Sequence, residues 1–151
     1  MRAVIQSVKE ASVEIDGKLY SSIKGGYAVL LGISVNDTDK DIDYIVDKIV
    51  NLRIIRDSED KLNNDIKSID GEILIISQFT LYGDARKGRR PSYIEAAKGE
   101  IALSLYNLAV ERLKKSYNEN KIFTGVFGAM MNVKIINSGP VTILIDSERK
   151  F

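Results

Sequence analysis

The chain has 151 residues, 44% of them apolar, which suits one compact domain spanning 1–151 with a real core. It contains no histidine and no cysteine, which excludes a Ser-His-Asp triad, a thiol nucleophile, an imidazole base, a disulfide scaffold and a zinc site of the usual ligands. Its 22 basic and 21 acidic groups leave a formal net charge of +1, so any attraction to nucleic acid has to come from a local patch.

In chain order, Arg2 to Val8 has the mixed apolar pattern of a strand, and Val13 and Ile15 alternate with Ser12 and Glu14 as a further strand. Asp16-Gly17 follows as a hairpin signal. After Gly25-Gly26, the apolar run Tyr27 to Val35 has the length of a buried strand. Thr38 is a helix cap with Asp39 and Asp41 in the first turn, and Ile42, Ile45, Val46 and Ile49 repeat at helical spacing. Asp57 to Asp70 is polar and turn-rich, a solvated connection with room for one short strand. Its acidic residues lack the ordered ligand pattern of a calcium loop.

Glu72 to Ser77 is a second buried strand, and Pro91 and Ser92 are expected to open a long helix whose apolar face carries Ile101, Leu105 and Leu108. Ile122 to Phe127, Asn132 to Ile136 and Val141 to Asp146 are β-rich, the last two expected to be joined by an Asn-Ser-Gly-Pro turn. Strands, helix, strand, helix, strands imply an α/β fold: a mixed β-sheet core with two main helices packed on one face. The chain shows neither a secretory leader nor an apolar run long enough to span a bilayer, so the expectation is a soluble cytoplasmic protein with no membrane partner.

Two segments hold residues that a packed core does not require. The first, Ser77-Gln78-Phe79-Thr80-Leu81-Tyr82-Gly83-Asp84, leaves the end of an apolar strand, where side chains can be exposed on rigid backbone. Thr80 as a nucleophile would need an activating base, and its near neighbours offer only Asp84 and, further off, Lys87. Alternatively the Ser, Gln and Thr side chains and backbone N–H groups bind a carbonyl or a developing oxyanion. A third reading is a polar strand end that only stabilises its own turn.

The second segment, Asn137-Ser138-Gly139-Pro140-Val141-Thr142, pairs a residue without a side chain with one for which a cis peptide costs only about 0.5–1 kcal/mol. Such a turn can present rigid carbonyls that exclude one stereochemistry, or it is an ordinary tight turn between strands. The basic cluster Arg86, Lys87, Arg89 and Arg90 is either a solvated loop or a grip on phosphates. Lys114, Lys115 and Arg112 suit solubility and the helix dipole.

Together, Ser77-Gln78-Phe79-Thr80 and Asn137-Ser138-Gly139-Pro140-Val141-Thr142 resemble the paired motifs of the D-aminoacyl-tRNA deacylase (D-tyrosyl-tRNA deacylase) family. The resemblance runs through the chain in order: Met1-Arg2-Ala3-Val4-Ile5-Gln6, Asn51-Leu52-Arg53, Lys87-Gly88-Arg89-Arg90-Pro91-Ser92 and Phe127-Gly128-Ala129-Met130-Met131 also match. It implies the family's fold and a homodimer that hydrolyses the ester between a D-amino acid and the terminal adenosine of tRNA. The catalytic residues so implied are Ser77, Gln78, Phe79 and Thr80, lining a pocket with Phe127 and Met131. Asn137, Gly139, Pro140 and Thr142 form the substrate-binding and chiral-rejection motif, with a cis Gly139-Pro140 reaching into the partner subunit's pocket.

The resemblance further implies attack assisted by the 2′-hydroxyl of the terminal adenosine, no metal and no cofactor. A gate that works by clash admits glycine, so glycyl-tRNA mischarged on tRNA-Ala is an expected second substrate. Ser7 departs from the arginine common in the family, and serine cannot make the charge-assisted bonds by which arginine would hold the Gly-Pro carbonyls. The competing class is a nucleotide-binding or RNA-end-binding module without catalysis.

Overall fold

The structure, a computed structural model, describes residues 1–150. Its backbone is one long strand, β1 (Arg2–Ile15), around which the others assemble. Asp16 and Gly17, both at positive φ (50° and 73°), turn the chain directly into β2 (Lys18–Ile23), as the Asp-Gly signal predicts. The first half of β1 pairs antiparallel with β3 (Gly26–Gly32), from Arg2 opposite Gly32 to Val8 opposite Gly26, while its second half pairs with β2. The two strands read separately before Asp16 are therefore one.

Thr38 caps α1 (Asp39–Asn51), and the Asp41 carboxylate accepts both the Thr38 N–H and its hydroxyl at 2.8 Å. Ile42, Ile45, Val46 and Ile49 face the core, as their spacing requires. The polar stretch that follows contains two very short strands, β4 (Ile55–Arg56) and β5 (Leu62–Asn64), paired as a small separate sheet. After it, β6 (Glu72–Ser77) lies parallel to β3, and β7 (Ile122–Thr124) lies parallel to β6. Both parallel pairs need a crossover, and each is made by a helix, α1 for the first and α2 (Gly99–Ser116) for the second. Because right-handed crossovers that step the same way across a sheet deliver their helices to the same side, both helices share one face.

That face holds the larger core, where Ile5, Tyr27, Val29, Leu31, Ile73 and Ile75 meet Ile45, Ile49, Tyr106 and Leu113. Alternate residues of the same strands, Val8, Val13, Ala28, Leu74 and Ile76, form a second cluster on the opposite face, which explains why β3 and β6 read as continuous apolar runs. The sheet curls around this second cluster until the Ser21 hydroxyl of β2 donates to the Thr124 carbonyl of β7 at 2.8 Å.

Further expectations are corrected. The long helix starts at Gly99, not at Pro91; residues 91–98 are non-helical apart from a single turn at Ile94-Glu95, and are stitched to the chain just past β3, with the Val35 N–H donating to the Glu95 carbonyl (3.0 Å) and Ala97 N–H to the Ile33 carbonyl (2.8 Å). Its buried face is Ala102, Tyr106, Ala109, Val110 and Leu113, while Ile101 is 67% exposed. The strand expected over Ile122 to Phe127 ends at Thr124. Finally, Asn132 to Ile136 and Val141 to Asp146 are not two strands joined by a turn but one, β8 (Asn132–Asp146), antiparallel to β1. Arg112 is also more than a surface charge: its Nη1 donates to the Asp39 carbonyl (2.9 Å) and its guanidinium pairs with the Asp39 and Asp43 carboxylates, fastening α2 to α1.

Candidate functional site

Ser77 ends β6, and the chain then breaks into a 3₁₀ turn, Phe79–Tyr82. Gln78 is the pivot. Its N–H donates to the Leu31 carbonyl of β3 at 2.7 Å, continuing the parallel pairing one residue past the strand. Its carbonyl then accepts the Leu81 N–H at 3.3 Å. At the start of such a turn the Phe79 and Thr80 N–H groups have no partner within it, so they stand as donors for an incoming oxygen. The Gln78 side-chain amide donates to the Thr80 hydroxyl, which holds the two side chains together across the turn.

This turn forms one wall of a cavity of about 660 Å³, lined on that side by Ile76, Ser77, Gln78 and Phe79. A second wall is the Phe127–Met131 stretch after β7, and a third is Tyr93 with Ala96–Gly99. The apolar walls are braced from behind. Phe127 packs against Tyr106 of α2 with ring centroids 5.7 Å apart, and the Tyr106 hydroxyl donates to the Ile75 carbonyl (2.9 Å). Burial pushes the Tyr106 phenol above its ordinary range, so it stays a neutral donor there. On the other side Phe79 meets Tyr93 edge-on at 5.1 Å. At the mouth Phe79 is 57% and Met130 92% exposed, leaving apolar surface where a flat aromatic base could stack.

The chemistry this site can perform follows from what surrounds Thr80. The nearest carboxylate in sequence, Asp84, is gripped by Arg86 through two bonds of 2.8 Å, and those bonds hold its pKa down to about 2. A carboxylate so depressed is a poor proton acceptor, and the Thr80 hydroxyl already receives the Gln78 amide proton. Thr80 therefore has no activated-nucleophile geometry. Donor N–H groups, aligned amide and hydroxyl groups and an apolar enclosure suit orienting an ester and stabilising its oxyanion. Among the described residues no group of three or more acidic side chains stands close enough to hold a metal ion.

The second motif lies elsewhere in the chain's surface. Gly139-Pro140 is a cis peptide, and Gly139 has φ 124° with room so tight that a Cβ would lie 2.9 Å from Val141. Along β8, Thr142 is opposite Gln6 while Asn137 is opposite Val8, so residues 138–141 bulge out past Ser7. Gln6 donates to the Thr142 hydroxyl at 3.2 Å and the Asn137 amide to the Ser7 carbonyl at 3.5 Å, pinning both feet of the bulge. Ser7 itself is buried.

Of the residues expected from sequence, Ser77, Gln78, Phe79, Phe127 and Met131 line one cavity, and Thr80 adjoins it through Gln78. Asn137, Gly139, Pro140 and Thr142 are not among the residues lining it within one chain. Lys87, Arg89 and Arg90 are exposed on the loop beyond the turn, and Arg86 is engaged by Asp84. Tyr93 and Ala96–Gly99 were missed, because starting the helix at Pro91 concealed the non-helical segment that walls the cavity; the glycine at position 99, where the helix begins, was the available sequence signal.

Comparison with known proteins places the sequence and the fold in a family. The protein-family model described as D-Tyr-tRNA(Tyr) deacylase matches residues 4–146. A D-aminoacyl-tRNA deacylase of Clostridium botulinum (strain Langeland) is 57% identical over 151 residues, covering 100% of both chains, and that of Clostridium kluyveri is 56% identical over the same span. Among solved structures, one described as c-Myc DNA Unwinding Element Binding Protein superposes with a TM-score of 0.93 at 43% identity, over 97% of this chain and 98% of its own. Another, described as a probable eukaryotic D-amino acid tRNA deacylase, shares the fold with a TM-score of 0.79 at 16% identity, over 95% of this chain and 97% of its own.

Proposed function

The chain belongs to the D-aminoacyl-tRNA deacylase family, a family of hydrolases that edit D-aminoacyl-tRNA, and from that premise we propose how its own residues do this work. The terminal adenosine and its aminoacyl ester enter the cavity between Phe79 and the Phe127–Met131 wall. The carbonyl oxygen of the ester turns toward the Phe79 and Thr80 N–H groups, which hold the charge that develops on it. Water adds to the carbonyl carbon with help from the neighbouring ribose hydroxyl. The acyl carbon–oxygen bond then breaks, the proton passes to the ribose oxygen, and free tRNA and the D-amino acid leave. Ser77, Gln78, Phe79 and Thr80 act by alignment and electrostatics rather than by covalent attack.

Chiral rejection in this reading comes from the partner subunit of a homodimer. The Gly139-Pro140 bulge, fastened at Asn137 and Thr142, projects from β8 into the partner's cavity, where its carbonyls leave no room for an L side chain. With serine at position 7 there is no arginine clamp, and the bulge is held at its feet by the Asn137 amide on the Ser7 backbone carbonyl and by Gln6 on Thr142. Lys87, Arg89 and Arg90 take tRNA phosphates, while Arg86 remains with Asp84. One domain comprising residues 1–151 carries the whole site of each subunit, apart from the bulge its partner lends.

The observation that carries the mechanism is the pairing of orphan N–H donors with a hydroxyl that has no base beside it. Its test is deacylation of matched D-tyrosyl-tRNA and L-tyrosyl-tRNA by the purified protein with EDTA present. Loss of the D ester alone is expected. Cleavage of both would mean the bulge does not gate, and cleavage of neither would leave only binding. Glycyl-tRNA, with no side chain to clash, should be cleaved as well, and its full resistance would overturn rejection by exclusion.

A further inference from the structure

The 3₁₀ turn that carries Phe79 and Thr80 is held at its start by the Gln78–Leu31 hydrogen bond and at its far end by a residue no part of the site accounts for, Arg2. Arg2 Nη1 donates to the Leu81 carbonyl at 2.9 Å, its guanidinium carbon stands 4.4 Å over the Tyr82 ring, and its Nε pairs with the Asp146 carboxylate at 3.1 Å. Asp146 is almost wholly buried and ends β8, the strand that also carries Gly139-Pro140. A planar guanidinium can satisfy a carbonyl, a ring face and a carboxylate at once, which an ammonium cannot.

We propose that Arg2 is a positioning residue for hydrolysis, acting with Asp146 as one unit that sets the Phe79–Tyr82 turn against β8. This inference rests on the function proposed above. Arg2 is not among the residues lining the cavity: it works by holding the Leu81 carbonyl near the end of the turn, so that the N–H groups at its start keep their aim. Its contacts with the Leu81 carbonyl, the Tyr82 ring and Asp146 join the turn to the end of β8.

The test compares wild type with Arg2→Gln, Asp146→Asn and the double variant. It reads single-turnover hydrolysis of D-tyrosyl-tRNA, affinity for uncharged tRNA and Tm. Each single variant is expected to lose roughly 10-fold in rate while tRNA affinity stays within about twofold, because the turn is displaced and the binding surface is not. The double variant should be no slower than the slower single one, as befits one unit. Arg2→Lys keeps a charge facing Asp146 but gives up the flat face over Tyr82, and serves as the milder variant should Arg2→Gln not fold; it too should be slower than wild type. Variants that hydrolyse at the wild-type rate, or single effects that multiply in the double, would overturn the inference. Failure of wild type itself to cleave the D ester would overturn the functional reading and the inference with it.

Discussion

Gly32, the last residue of β3, offers a direct test of how finely the reactive turn is placed. A Cβ at this position would lie 2.9 Å from Leu81 Cβ and 3.1 Å from the Gln78 carbonyl oxygen. Carbon atoms meet comfortably at about 3.5 Å, so Gly32→Ala must push the turn back by roughly 0.6 Å. The backbone at Gly32 is one alanine can adopt, which leaves the clash as the whole effect. Overpacking of this kind costs about 1–3 kcal/mol, or a Tm lower by very roughly 2–12 °C for a domain of this size. A 1 Å misplacement can cost on the order of 100-fold in rate, so a displacement of about half that should cost about 10-fold. The assay is single-turnover hydrolysis of D-tyrosyl-tRNA well below the Tm of either protein, with Gly25→Ala as control, since a Cβ at Gly25 meets nothing within 4 Å. A Gly32→Ala protein that loses stability as expected yet hydrolyses at the wild-type rate would refute the claim that turn placement sets the rate.

Thr80→Ala should keep near-normal single-turnover hydrolysis, because no base activates the hydroxyl; a loss on the order of 10⁴-fold or more would reinstate it as nucleophile. Combined Arg89→Glu and Arg90→Glu should weaken tRNA binding and lower the slope of log affinity against log salt by about 1 to 2, and an unchanged slope would remove the loop from the interface. Burial pushes the phenols of Tyr27, Tyr82, Tyr106 and Tyr117 above their ordinary range. Raised folded values mean that their contribution to stability is fully present below the unfolded value of about 10 and is lost as pH rises toward the folded values. An ultraviolet titration followed alongside circular dichroism should therefore show Tyr27, Tyr82 and Tyr106 ionising only as the protein unfolds. Ionisation of all seven tyrosines in a chain that remains folded would contradict this burial.

Local signals determined a good part of this protein. Asp16-Gly17 makes its hairpin, Thr38 with Asp41 starts its helix, and the apolar run into Ser77-Gln78-Phe79-Thr80 ends a buried strand at the cavity, because in each case the deciding interactions lie within a few residues. The long helix shows where that stops. Ile101, Leu105 and Leu108 have the same spacing as Ala102, Tyr106 and Ala109, one residue out of step, so periodicity alone fits either face. The sheet chose the second, where alanines allow close approach and Tyr106 reaches the Ile75 carbonyl.

Tertiary pairing likewise decided what the Gly139-Pro140 segment is. Glycine and proline read locally as a turn, but β1 is long enough to pair on both sides of them, so the strand continues and the pair becomes a bulge on its surface. The segment from Pro91 to Lys98 became a cavity wall for a similar reason, since the chain just past β3 supplies backbone partners that outcompete a first helical turn. Chemistry carried by neighbouring residues was legible in the sequence, whereas everything that depends on which distant strand supplies the hydrogen-bond partner was settled only by the assembled sheet.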